Sequence, residues 1–275
     1  MSGNKTGTRI IVSVAAIPFI GLAAYFGGLL FLIFVLGIAL ISFFEFSILV
    51  KSKGTNPNLI FGLTSVVLIL LNVYFEWLDF YILILLISFI LLIVELYRDN
   101  NSAILNLGST FLGIFYIGVF SASLLSIREL FNFSNQLYEQ GGLLIIALFV
   151  TIWICDSAAF FLGTAFGKHK LFPRVSPKKS WEGAIAGFIF SILTMIAAHF
   201  ILLDFLSLVD SFIIGTIVGT VGQIGDLIES LIKRDANVKD SSALIPGHGG
   251  VFDRFDSLLF SAPAVYVYLI YTMQL

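Results

Sequence analysis

Residues 29–50 read LLFLIFVLGIALISFFEFSILV, and the run is closed by Lys51 and Lys53. Its single charge is Glu45. An apolar stretch needs about 20 residues to cross a bilayer as a helix, and this one is long enough. Working outward, similar runs recur along the chain, broken by charge and by Gly, Pro or Asn. They predict helices near 10–27, 29–50, 58–75, 79–97, 103–126, 141–164, 181–203, 208–233 and 256–274. The fold class expected is all-α: a polytopic integral membrane protein with about nine transmembrane helices. Composition points the same way. Of the 275 residues, 59% are hydrophobic and 12% charged, with a mean hydropathy of +1.03. A soluble domain carries about 25% charge, so lipid is the solvent that suits this chain.

Arg9 to Phe26 has the look of a signal peptide, but more apolar segments follow it, and it is read as the first span. Tyr25-Phe26-Gly27-Gly28 alone joins it to the second, which suits a hairpin. The distribution of basic residues sets the orientation. With a cytoplasmic N-terminus, the inner segments hold Lys5, Arg9, Lys51, Lys53, Arg98, Lys168, Lys170, Arg174, Lys178, Lys179, Lys233, Arg234, Lys239 and Arg254. Arg128 alone falls outside. Nine crossings then place the C-terminus outside. The net charge of -2 gives no basic field for nucleic acid. The one cysteine, Cys155, excludes an internal disulfide and a cysteine metal cluster.

Charge is rare in residues 10–50 and dense in residues 226–256. Asp226, Ser230 and Lys233 follow steps of four and three, one helical face, with Glu229 beside it. Asp253 and Asp256, three apart, share a face at a helix start. Acids inside an apolar span face a partner or a wet cavity. Three carboxylates suit a divalent cation with oxygen ligands, Mg²⁺ above all. Gly247, Gly249 and Gly250 let the backbone approach an anion. Lys233, Arg234, Lys239 and Arg254 supply positive charge for phosphoryl oxygens, and His248 is placed to donate to a phosphate or act as an acid. Taken singly, such basic residues are most often topology and headgroup anchors. That reading leaves the three aspartates among them unexplained.

The stretch from Ser230 through Lys233-Arg234, Lys239-Asp240 and His248-Gly249-Gly250 to Asp253-Arg254-Phe255-Asp256 resembles the signature of the phosphatidate cytidylyltransferases, or CDP-diacylglycerol synthases. A second region resembles that family too: Asp156-Ser157-Ala158-Ala159-Phe160, then Ser176-Pro177-Lys178-Lys179-Ser180-Trp181-Glu182-Gly183. Asp156 is read as a buried acid. Ser180 is placed to cap the next helix, and two lysines at a helix start suit a triphosphate.

The resemblance implies transfer of CMP from CTP to phosphatidic acid, giving CDP-diacylglycerol and pyrophosphate. It implies catalytic roles for Asp226, Lys233, Arg234, Lys239, Asp240, His248, Asp253, Arg254 and Asp256. Asp156, Ser176, Lys178, Lys179, Glu182, Ser230, Gly249 and Gly250 are expected to bind substrate. Asp226, Asp253 and Asp256 are expected to hold Mg²⁺ in a two-cation site whose second place is open to a monovalent ion. Residues 1–126 are expected to be packing and lipid-facing helices, and residues 127–275 the catalytic membrane domain, with its site facing the cytoplasm from the cell membrane. The partners implied are CTP, phosphatidic acid and membrane lipid, and small-residue faces permit a homodimer.

Other polar residues take plainer readings. Glu45 and Glu95 are expected to snorkel or pair locally. His169 and His199 show no carboxylate pattern around them. Gly215, Gly219 and Gly222 are expected to let a neighbouring helix come close. Two rival readings fit the same residues. One is another CTP-using membrane enzyme, acting on a different lipid phosphate or as a polyprenol or phytol kinase. The other is a transporter, against which the absence of an internal repeat argues.

Overall fold

The structure is a computed structural model describing residues 5–100, 102–131, 137–245 and 249–273, with side chains from residue 16 onward. Among these residues the chain forms nine helices: α1 (Lys5–Phe26), α2 (Gly28–Lys51), α3 (Leu59–Phe75), α4 (Phe80–Leu96), α5 (Ala103–Arg128), α6 (Tyr138–Phe166), α7 (Trp181–Ile201), α8 (Leu208–Asp235) and α9 (Phe252–Met273). The expected helices are all present. Six are long and apolar enough to cross a membrane: α2 and α5 to α9. The apolar stretch Ala16–Phe26 of α1, and all of α3 and α4, fall below that length. The chain is a polytopic membrane protein, and it is not helical throughout. Between α6 and α7, strands β1 (Lys170–Phe172) and β2 (Ser176–Ser180) pair antiparallel.

Local chemistry sets the helix starts. Asn58 caps α3 by accepting from the Phe61 amide, Asp79 caps α4 from Tyr81 and Ile82, and Ser180 caps α7 from Gly183. Ser207 and Asp210 form a reciprocal capping box at α8. Such caps satisfy amides that have no partner within the helix. Gly27 and Gly28, with φ of 64° and 56°, break α1 from α2 in a conformation other residues adopt at a cost. Phe19 and Phe34 then meet edge to face at 5.8 Å, as a fold-back requires. Two helices carry a turn of wider, π-type winding, at Ile114–Val119 in α5 and Val218–Gly222 in α8.

The chain packs as two compact units. The first is residues 1–23, 27–126 and 232–255; the second is 24–26, 127–231 and 256–275. In the first, α2 and α5 pack on α3, and α4 on α3 and α5. Phe31, Val35, Phe43 and Phe46 of α2, Val66, Ile69 and Leu70 of α3, Leu91 of α4 and Ile117 of α5 are buried. On α4, Leu83, Ile87, Leu91 and Glu95 form the buried stripe, while Leu85, Phe89 and Leu92 stay exposed. Water would not cover such an apolar outer face, and lipid does.

In the second unit α7 packs against both α6 and α8. Small residues make this possible. A Cβ on Gly183 would stand 2.6 Å from the Ala159 carbonyl oxygen, and one on Gly215 would stand 2.7 Å from Ile192 Cα. Gly219 is equally tight against Phe188 and Ser191. Gly222 departs from expectation: its nearest neighbour, Ser257, lies at ordinary contact distance. Arg128 is fully buried. Its guanidinium lies 4.3 Å over the Tyr138 ring and donates to the Ala24, Tyr25 and Tyr138 carbonyls. A guanidinium cannot shed its charge, so these acceptors are what make its burial tolerable.

Candidate active site

The signature residues are positioned by the C-terminal end of α8, by the loop that follows, and by the first turn of α9. In the first unit, α8 stops where Asn237 turns left-handed, with φ 58°. Ala236, Asn237 and Val238 amides donate back to the Ile232, Arg234 and Lys233 carbonyls, as a left-handed helix terminus does. Lys233, just inside this end, is buried, and its ammonium lies 2.7 Å from Asp253 Oδ1.

Asp253 is a hub. Its carboxylate accepts from Lys233, from the Ser241 amide (2.9 Å to Oδ2), from Ser241 Oγ (3.0 Å) and from the Gly250 amide (2.7 Å). The two glycines are there for geometry. Gly249 has φ 86°, and a Cβ on it would lie 2.6 Å from Asp253 Oδ2. A Cβ on Gly250 would overlap Ser241 Oγ and stand 2.5 Å from Glu45 Oε2. In this structure the Gly250 amide expected to meet a phosphate is directed at Asp253. Arg234, Lys239, Asp240 and Arg254 are exposed, and Arg234 donates to the Val238 carbonyl at 2.7 Å. Gly247 and His248 lie outside the described residues.

In the second unit, Ser230 Oγ donates to Asp226 Oδ1 across one helical turn at 3.3 Å, the face expected from their spacing. Lys179 of β2 makes a close ion pair with Asp226 Oδ2. Each of the two side chains is 30% exposed. Ser176 is half-buried at the start of β2 and Lys178 is exposed. Asp256 is buried on α9 and accepts from the Ser257 amide at 2.6 Å.

Three expectations are corrected here. Asp156 is exposed rather than buried, because it shares with Trp153, Ile154, Ser157 and Phe160 a face of α6 that the fold leaves uncovered. His169 does have a carboxylate partner. Its Nδ1 lies 2.7 Å from Glu182 Oε1, and its amide also donates to Glu182. The hairpin folds back to make this pair, which thirteen residues of sequence separation conceal. Glu45 does not snorkel. It is 1% exposed and accepts from Ser241, Ser242, Val251 and Phe252. Glu95 pairs locally with Arg98, as expected, and also accepts from Asn106.

Among the described residues no group of three His, Cys, Asp or Glu side chains is gathered to hold a cation. Asp226 and Asp253 each carry a lysine ammonium instead. The donor type still suits Mg²⁺, which takes carboxylate oxygens together with water and substrate phosphate. Asp226 is the more accessible of the two, its side chain 30% exposed against 2% for Asp253.

The sequence that carries these residues is similar to that of known proteins. Residues 7–272 match the model of the cytidylyltransferase family. The chain belongs to the cytidylyltransferase family. It is 30% identical over 271 residues to a phosphatidate cytidylyltransferase of Staphylococcus epidermidis, covering 98% of this chain and 99% of that one. The corresponding protein of Staphylococcus saprophyticus is 32% identical over 270 residues, 97% and 98% of the two chains. That of Haemophilus influenzae is 44% identical over 148 residues, about half of each. Of the basic residues in the two motif regions, Lys178, Arg234, Lys239 and Arg254 are exposed.

Proposed function

We propose that this chain is a phosphatidate cytidylyltransferase, converting CTP and phosphatidic acid to CDP-diacylglycerol and pyrophosphate. The observation that carries the reading is the near full-length similarity to relatives of that name, with the whole Ser230–Asp256 signature present. In the reaction an oxygen of the lipid phosphate attacks the α-phosphorus of CTP. That P–O bond forms as the bond to the α,β-bridging oxygen breaks, and pyrophosphate departs with the electron pair. The attacking phosphate is already an anion, so no strong base is required. The barrier lies in bringing the anions together and in stabilising the leaving group.

Arg234, Lys239, Arg254 and His248 bind phosphates in this reading, and Lys178 and Lys179 place CTP with Ser176 and Glu182. Asp226, Asp253 and Asp256 are the proposed ligands of Mg²⁺, with a second cation site open to a monovalent ion. Bound there, Mg²⁺ would supply charge neutralisation to the phosphates and the leaving group. The acyl chains stay in lipid while the headgroup enters the site sideways. The site faces the cytoplasm of a bacterial cell membrane, with nine crossings, an inner N-terminus and an outer C-terminus. A homodimer is compatible with the small-residue faces, and light scattering of the detergent-solubilised protein reads that state.

The test is product formation by purified protein in detergent with radiolabelled CTP, phosphatidic acid and Mg²⁺, each omitted in turn. A labelled liponucleotide and pyrophosphate that need all three are expected. EDTA should abolish turnover and excess Mg²⁺ restore it. Product from an isoprenoid alcohol or phosphate in place of phosphatidic acid would redirect the assignment to another CTP-using lipid enzyme. Turnover unaffected by EDTA would overturn the metal assignment.

A further inference from the structure

We propose that Glu45, on α2, is a positioning residue for the signature loop and acts through it on Asp253. The proposal rests on the preceding reading that Asp253 belongs to the active site.

A carboxylate this deeply buried in an apolar helix is costly unless it is well supplied with donors. Glu45 is supplied on both oxygens. Oε1 accepts from Ser242 Oγ at 2.5 Å and from the Val251 amide at 3.1 Å. Oε2 accepts from Ser241 Oγ at 3.0 Å and from the Phe252 amide at 2.8 Å. Val251 and Phe252 stand at the start of α9, where amides lack partners within the helix and the helix presents its positive end. Glu45 therefore caps α9 from a different helix, across a separation of 207 residues.

The same carboxylate ties down the other end of the loop. Ser241 Oγ lies 3.0 Å from Glu45 Oε2 and also 3.0 Å from Asp253 Oδ2. One hydroxyl proton serves one acceptor at a time, so Glu45 influences how Ser241 meets Asp253. Glu45 and Asp253 together hold residues 241–242 against residues 250–253. The cramped space at Gly250 follows from this, since its missing Cβ is what lets both Ser241 Oγ and Glu45 Oε2 approach. Phe46, the next residue on α2, and Tyr116 of α5 pack edge to face on Phe252 at 6.4 and 5.5 Å. The start of α9 is thus held by an acid and two aromatic rings.

Glu45→Gln is the variant of choice. It keeps length and volume, but turns one oxygen into an NH₂ donor facing an α9 amide that cannot reorient. The control is Glu95→Gln, which alters another buried acid of the same unit, at Arg98 and Asn106. In detergent, Glu45→Gln should lower kcat by about 10- to 100-fold per folded molecule, the scale of a misplaced catalytic group. KM for phosphatidic acid should stay within about 2-fold, because remote substrate contacts are kept. Glu95→Gln should leave kcat unchanged. Folded Glu45→Gln with normal kcat, or equal losses in both variants, would overturn the proposal. If Glu45→Gln does not fold, Ser242→Ala removes one of the four bonds; a kcat several-fold below normal supports the role, and an unchanged kcat overturns it. Should the unaltered protein form no liponucleotide, the preceding reading fails and the loop tie is still testable. Amide exchange at Val251 and Phe252 should then be at least about 10-fold faster in Glu45→Gln, and unchanged exchange would refute the tie.

Discussion

Two lysines of the signature regions sit on aspartates, and their surroundings make the two pairs unequal. The side chains of Lys233 and Asp253 are 11% and 2% exposed. Removing one partner of such a buried pair leaves an uncompensated charge, at a cost of about 3–5 kcal/mol. Lys233→Met should therefore lower thermal stability in detergent by several degrees and abolish turnover together. The side chains of Lys179 and Asp226 are each 30% exposed, and pairs near water contribute about 1 kcal/mol or less. Lys179→Met should leave the unfolding temperature nearly unchanged while reducing activity. A large loss of stability in Lys179→Met would contradict this ranking. Gly250→Ala belongs to the same scale. Its Cβ has nowhere to go between Ser241 and Glu45, and overpacking of this kind costs about 1–3 kcal/mol. The loss should appear as a lower unfolding temperature accompanied by lost turnover.

At the scale of elements, the second motif joins two tasks that its residues do not separate on inspection. Ser176 to Ser180 form β2, its last residue Ser180 caps α7, and Gly183 admits α6 at the distance of a backbone contact. Gly183→Ala would push a methyl group against the Ala159 carbonyl, which belongs to a helix backbone and cannot swing away. A fall in stability of about 1–3 kcal/mol is expected, read by thermal unfolding. Ser180→Ala should cost about 0.5–2 kcal/mol through the lost cap. Normal stability in Gly183→Ala would mean that the α6–α7 approach is looser than its geometry states. On α8, the π-type turn at Val218–Gly222 precedes the helical face of Asp226 and Ser230, and such turns often mark functional segments.

At the scale of the whole molecule, the prediction concerns topology. Helices α3 and α4 have 17 residues each, about 25 Å at the helical rise, against a hydrocarbon core of about 30 Å. In the proposed nine-crossing topology they would be short spans, within the range that bilayer thinning or flanking residues accommodate. If the proposed nine crossings and inner N-terminus hold, alkaline phosphatase fused after Met273 should be active, and fused within the Lys170–Ser180 hairpin it should be inactive. Activity in the hairpin fusion would invert the topology and move the basic loops to the outer face, against the charge rule that predicts it.

Much of this molecule was readable from its residues. Apolar runs and their breaks located the nine helices among the described residues, because in lipid every backbone group must be satisfied within its own segment, so an apolar helix announces itself locally. Ser180 as a cap and the shared face of Asp226 and Ser230 were equally local, depending on spacings of three and four. The signature residues Ser230 to Asp256 were marked by charge in a chain that otherwise avoids it. What only the tertiary structure decided was partnership. Nothing near Glu45 in sequence indicates that it caps α9, although its place as the one acid between residues 10 and 50 was a usable warning. The union of His169 with Glu182, of Lys179 with Asp226 and of Arg128 with the carbonyls of α1 each required a fold-back of the chain. The exposure of Asp156 depended on which face of α6 the fold leaves uncovered. Periodicity reports which face of a helix a residue occupies; a buried charge is settled by donors and acceptors arriving from distant segments, and their arrival is a property of packing.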